Sequence, residues 1–165
     1  VIEITDTIED TLSDTELSGG TSEITGEQLP SGAQQASIRK RNLLRAFAER
    51  RKMLADALTV NEVAHLLGTS RQTPHDRYAD GKLVAVKENG RLLFPLWQFD
   101  PEAADGVIAG LPEVLSELGD RLSPLGIVRW FITPKMQLAG RTPVEVLGVG
   151  DVQDVIDEAK SLGAS

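Results

Sequence analysis

The chain has 165 residues, 41% of them hydrophobic, long enough for one ordinary domain or two small ones, and only two Trp, one Tyr and four Phe stand among them. The absence of cysteine excludes disulfide scaffolds, thiolate metal sites and cysteine nucleophiles. The formal net charge of −8 comes entirely from residues 1–35, which hold eight acids (Glu3, Asp6, Glu9, Asp10, Asp14, Glu16, Glu23, Glu27) and no base, leaving 17 acids against 17 bases in the remainder.

From Val1 to about Gln34 the chain is rich in Thr, Ser, Glu, Asp and Gly without a sustained apolar period, and residues 1–35 are expected to be a disordered acidic tail. It is a solubilising tail on the simplest reading, or a competitor of DNA for the basic segment that follows. That segment, residues 36–57, holds Arg39, Lys40, Arg41, Arg45, Arg50, Arg51 and Lys52 against Glu49 and Asp56. A helix is predicted from Ser37 to about Leu58, with Leu43, Phe47, Leu54 and Leu58 on one face and Arg50 interrupting the stripe. This basic amphipathic helix reads equally as a dimerisation arm, a phosphate-contacting arm or a solvated lead-in.

Thr59 and Glu62 have capping-box spacing and start a short helix with Val60, Val63, Ala64 and Leu67 facing inward. Gly68 permits a tight turn, Ser70 is the expected cap of a second helix from Arg71 to about Asp80, and Gly81 closes it. Two short helices so joined make a helix-turn-helix. Asn89-Gly90, between two apolar runs, is a strong hairpin signal because both residues tolerate positive φ.

Beyond the hairpin, Asp100-Pro101, Ser123-Pro124 and Thr142-Pro143 each read as a capping residue followed by a first-turn proline, and Glu145 completes a capping box with Thr142. A last helix is expected from Asp151, with Val152, Val155, Ile156 and Ala159 on one face, closing at Gly163. The predicted fold is mainly α: a helix-turn-helix with one β-hairpin, then a C-terminal bundle of short helices, with a boundary between residues 58–100 and 101–165.

The order and spacing of Leu67-Gly68, the helix after Ser70, Gly81-Lys82-Leu83 and the Asn89-Gly90 hairpin resemble the excisionase and MerR-like winged helix-turn-helix family. The resemblance implies that Arg71, Gln72, Thr73 and His75 reach base edges in the major groove of double-stranded DNA, while Lys87 and Arg91 contact phosphate or the minor groove. Two positions depart from the family pattern: Pro74 and Arg77 stand where apolar core residues are usual.

The run from Ser123 to Leu162, with Trp130, Thr133-Pro134, Leu138, Gly140-Arg141-Thr142-Pro143 and Leu147, resembles the toxin-binding domain of Xre/MbcA/ParS-type antitoxins. That resemblance implies a cognate toxin as partner, commonly a RES-domain enzyme that consumes NAD, with Trp130 and Arg141 as candidate partner-binding residues. Trp130 and Pro143 read equally well as structural. Arg141 is harder to place in a core, because a buried guanidinium needs carboxylate or carbonyl partners.

No catalytic or metal-binding constellation stands out, and no cofactor is expected: His65 and His75 fall on different helices, and Gly148-Val149-Gly150 lacks the strand a dinucleotide fingerprint requires. The leading expectation is a cytoplasmic, homodimeric, antitoxin-like transcriptional regulator with no membrane association. The alternatives are a standalone phage, plasmid or chromosomal DNA-binding protein whose C-terminal domain oligomerises, and an interaction module that no longer binds DNA.

Overall fold

The computed structural model describes residues 29–164, so the predicted acidic tail lies outside the described residues over positions 1–28. The chain divides into two compact units, Val1–Glu49 and Arg50–Ser165. The first helix, α1 (Gly32–Met53), begins earlier than its periodicity indicates. A third capping box explains the difference: the Ser31 N–H donates to Gln34 Oε1 at 2.7 Å and the Gln34 N–H to Ser31 Oγ at 3.3 Å. Leu43, Leu44 and Phe47 on α1 are 56, 59 and 56% exposed.

The predicted extension of this helix to Leu58 is corrected. α1 ends at Met53, Leu54 turns into the core, and Leu58–Thr59 form a short strand, β1. Thr59 is also the N-cap of α2 (Val60–Leu67), with φ −76° and ψ 166°. An N-cap is extended by definition, so a continuous helix cannot run directly into it. Pairing of Leu58 with Phe94 and Thr59 with Leu93 then fixes the exit path.

The capping box of α2 forms as expected, and Gly68 ends the helix at φ 64°. The next helix, α3 (Gln72–Ala79), has Arg71 as its N-cap and no side-chain capping bond. The expected Ser70 cap is therefore corrected: the Ser70 carbonyl accepts the Thr73 N–H at 3.2 Å, and a backbone turn starts the helix. After Gly81 the chain enters the buried run Leu83–Val86 and forms the hairpin β2 (Val86–Glu88) and β3 (Arg91–Phe94). Asn89 and Gly90 take φ 50° and 77°, the left-handed values a two-residue loop needs. Because β1 pairs with β3, the wing is a three-stranded antiparallel sheet of order β1-β3-β2.

Asp100-Pro101 starts no helix, contrary to expectation. Asp100 Oδ1 accepts the Glu102 N–H at 3.0 Å, and the Asp100 N–H donates to the Gly106 carbonyl at 2.9 Å. The aspartate thus closes a small loop whose ends are bridged by Phe99 and Val107, a competing use of an Asx side chain. The other two Pro signals hold: Ser123 caps α5 (Pro124–Ile132) and Thr142 caps α6 (Pro143–Gly148), preceded by α4 (Leu111–Leu118) and followed by α7 (Val152–Ser161). α7 ends at Ser161 with Leu162 as its C-cap, one residue before the glycine expected to close it.

The winged module and the helical bundle share a single core. Val63, Val84 and Phe94 belong to the same buried cluster as Leu111, Phe131, Val146 and Val155. At their junction lies Gln98, wholly buried. Its Oε1 accepts the Val84 N–H and its Nε2 donates to the Val84 carbonyl, both at 2.8 Å, while Nε2 also donates to the Pro95 carbonyl at 3.0 Å. One side-chain amide thereby replaces the strand partner that Val84 lacks. Further out, Gly110 holds φ 83° at the start of α4, where a Cβ would overlap Val152 of α7.

Gln98→Met keeps the volume but strands both polar groups of Val84, and should lower unfolding free energy by about 2–4 kcal/mol, measured by urea denaturation of the full chain. A loss below 0.5 kcal/mol, roughly the effect of an ordinary surface change, would show that Val84 finds other partners.

Candidate nucleic-acid interface

α2 and α3 are in contact, with Val63 and Ala64 buried on α2 and Pro74, one of the largest fully buried side chains, on α3. Pro74 is the third residue of α3, where a helical N–H has no partner within the helix, so proline costs no hydrogen bond there. The position is therefore filled by an apolar core residue after all. Arg77, the other departure from the family pattern, sends Nη1 to the Asp105 carbonyl at 2.9 Å and ties α3 to the loop behind the wing. Both substitutions keep α3 anchored on its inner side.

The outer side of α3 faces the wing across a cleft of about 990 Å³. Arg71, Gln72 and His75 line it from the start of α3, and Lys87 and Arg91 from the two strands beside the hairpin turn. All five side chains are exposed. Thr73 is half-buried and is not part of the lining. Thr59, Val60 and Asn61, at the start of α2, and Tyr78 and Ala79, late in α3, complete the surface and were not singled out by the sequence.

Three permanent cations, Arg71, Lys87 and Arg91, thus share one cleft with a single carboxylate, Asp76, among its described lining residues. Asp76 Oδ1 accepts from Gln72 Nε2 at 2.8 Å, one helical turn away. At the back of the wing, Glu88 is occupied by Arg50, whose Nε lies 3.1 Å from Glu88 Oε1. The residue that interrupts the apolar stripe of α1 therefore braces β2.

The two candidate partner-binding residues lie apart from this cleft, in the bundle. Trp130 is only 4% exposed, edge-on to Phe131 with ring centroids 5.1 Å apart, and Lys135 Nζ sits 5.3 Å from the centre of its ring. Arg141 is exposed. Its Nε donates to the Leu138 carbonyl at 3.3 Å, and its carbonyl accepts the Lys135 N–H at 3.0 Å, so the turn through Ala139 and Gly140 presents it on a well-tied knuckle.

No protein-family model matches the chain, and no curated relative matches it. A solved structure does. The chain is similar in fold to Rv2175c. The NMR structure of Rv2175c has a TM-score of 0.55 and 26% sequence identity, over 64% of this chain and 80% of that one. About two thirds of the chain therefore has a fold that another protein also adopts. Among the described residues, no helix is long and apolar enough to cross a membrane, and no group of three or more His, Asp or Glu is placed to hold a metal ion.

The Thr59 backbone N–H, followed by its hydroxyl, holds the Glu62 carboxyl below its ordinary pKa, and Thr142 does the same for Glu145. A folded-state pKa below the unfolded one stabilises the fold above the ordinary carboxylate range, and that contribution disappears as pH falls through the lowered value. Glu62→Gln and Glu145→Gln keep a cap acceptor but cannot titrate. The double variant should therefore lose less stability than the parent when acidified from neutrality through the carboxylate range, as read from urea midpoints against pH. Parallel profiles would dismiss the two caps as contributors to acid unfolding.

Proposed function

We propose that this protein is a DNA-binding transcriptional regulator of the antitoxin type, which holds double-stranded operator DNA in the cleft between α3 and the wing and a cognate toxin on its C-terminal bundle. The observation that carries the DNA reading is the convergence of Arg71, Lys87 and Arg91 with the hydrogen-bonding side chains of Gln72 and His75 on one cleft. Such a set divides naturally into two tasks. Side chains on the first turns of α3 read base edges, Arg pairing with guanine and Gln with adenine. Wing cations neutralise phosphates and set the register.

As a homodimer the protein would address half-sites about one helical turn, roughly 34 Å, apart. No cofactor enters this reading, and any NAD chemistry would belong to a RES-domain toxin. The toxin contact is supported by the exposed Arg141 on its tied turn, next to Met136, which is 92% exposed. Trp130 contributes from beneath by fixing Lys135. Function in the cytoplasm follows from the operator as ligand.

Arg71→Ala should cost about 1–3 kcal/mol on the selected operator and relax base preference, whereas Lys87→Ala should weaken all duplexes alike and reduce the slope of log K against log salt by about one. Fluorescence anisotropy on operator and random duplexes checks both, and equal effects on the two DNAs for both variants would remove the assignment. For the bundle, Arg141→Ala should reduce co-purification of a toxin encoded beside this gene while leaving thermal unfolding unchanged. A neighbouring gene without any such product would favour a standalone DNA-binding protein.

A further inference from the structure

We propose that Asp76 is a specificity-determining residue that acts by bracing Gln72 to read adenine, an inference that rests on the DNA reading of the cleft. Asp76 is the single carboxylate among the described residues lining a cleft that also holds three permanent cations. Toward a polyanion its charge is unfavourable, and it forms no ion pair among the described residues. Its interaction is with an amide: Gln72 Nε2 donates to Oδ1 at 2.8 Å.

A carboxylate only accepts hydrogen bonds, so the Gln72 amide cannot turn its oxygen toward Asp76. The terminal torsion of glutamine is otherwise broad. Asp76 therefore removes the flipped orientation. Gln72 sits at the first position of α3, and Oε1 with the second Nε2 hydrogen remains free as an adjacent acceptor and donor. That pair matches the exocyclic N–H and ring nitrogen of adenine in the major groove, and no other base edge there offers the same pattern.

A bond of this kind also stabilises helices in general, and α7 supplies the comparison: Gln153 Nε2 donates to Asp157 Oδ1 at the same spacing and also at 2.8 Å. Asp157→Ala removes that helix pair, together with a 3.9 Å contact to Lys160, from an element that does not line the cleft. It separates a helix-stabilising effect from a readout effect.

The test is selection of the full-length protein on a duplex pool randomised over two helical turns, followed by anisotropy titrations on the selected duplex and its single-base variants. The parent and Asp157→Ala should select the same site, with adenine required at one position that Gln72→Ala abolishes. Asp76→Ala should bind random duplex about two- to fivefold more tightly, because a repelling charge is gone, yet lose about three- to tenfold in preference for adenine at that position. Asp76→Asn, whose amide can donate as well as accept and so readmits the flipped Gln72, should gain affinity yet lose most of the preference. An unchanged adenine preference in Asp76→Ala, or a parent that binds duplexes without preference, overturns the bracing role while leaving DNA binding in place. A parent that binds no duplex at any salt overturns both.

Discussion

The interaction on which the rest of this molecule depends is the amide of Gln98 closed on the backbone of Val84. Residues 83–86 pass through the interior between the end of α3 and the start of the wing, and a buried backbone must find partners for its polar groups. A sheet would supply them from a neighbouring strand. Here a side chain from the short turn after β3 does so, and its own carbonyl accepts the Ile108 N–H at 2.8 Å. The run after α3, the wing and the first bundle segment are thus joined at one residue, and the cleft geometry is set from behind.

Support of the cleft is distributed in the same way. Pro74 anchors α3 on α2, Arg77 reaches to the loop behind the wing, and Arg50 braces Glu88 on β2. None of these contacts occupies the open face. The cations and amides of that face are left to interact outward, while the polar groups behind it are spent on protein.

Much of this was legible in the sequence, for identifiable reasons. Thr59 with Glu62, Gly68, Asn89-Gly90, Ser123-Pro124 and Thr142-Pro143 are local signals whose geometry depends on residues within a few positions, and all of them form. The failures are of two kinds. Ser70 and Asp100 had alternative local uses, a backbone turn and an Asx loop, that propensity alone does not rank against capping. The end of α1 and the third strand depended on pairing between Leu58 and Phe94, which are far apart in sequence. In the cleft, Arg71, Gln72, His75, Lys87 and Arg91 follow from the family resemblance once the helix start and the hairpin turn, both local signals, are placed; Asn61 and Tyr78 join through packing of α2 on α3, which no local spacing encodes. Gln98 carried no signal at all, since a lone glutamine after a hairpin looks like surface.

The shared core has a consequence for the two surfaces proposed to bind DNA and toxin. With Val63, Phe94, Leu111, Phe131 and Val155 in one cluster, the wing and the bundle do not have separate folding equilibria. A ligand of either surface draws the same population out of the unfolded state, and by mass action it protects the other surface as well. A ligand held at the Arg141 knuckle would then lengthen the lifetime of the cleft between α3 and the wing against proteolysis without moving a single residue in it. Linkage of that kind needs no conformational switch, only a fold too small to come apart in pieces.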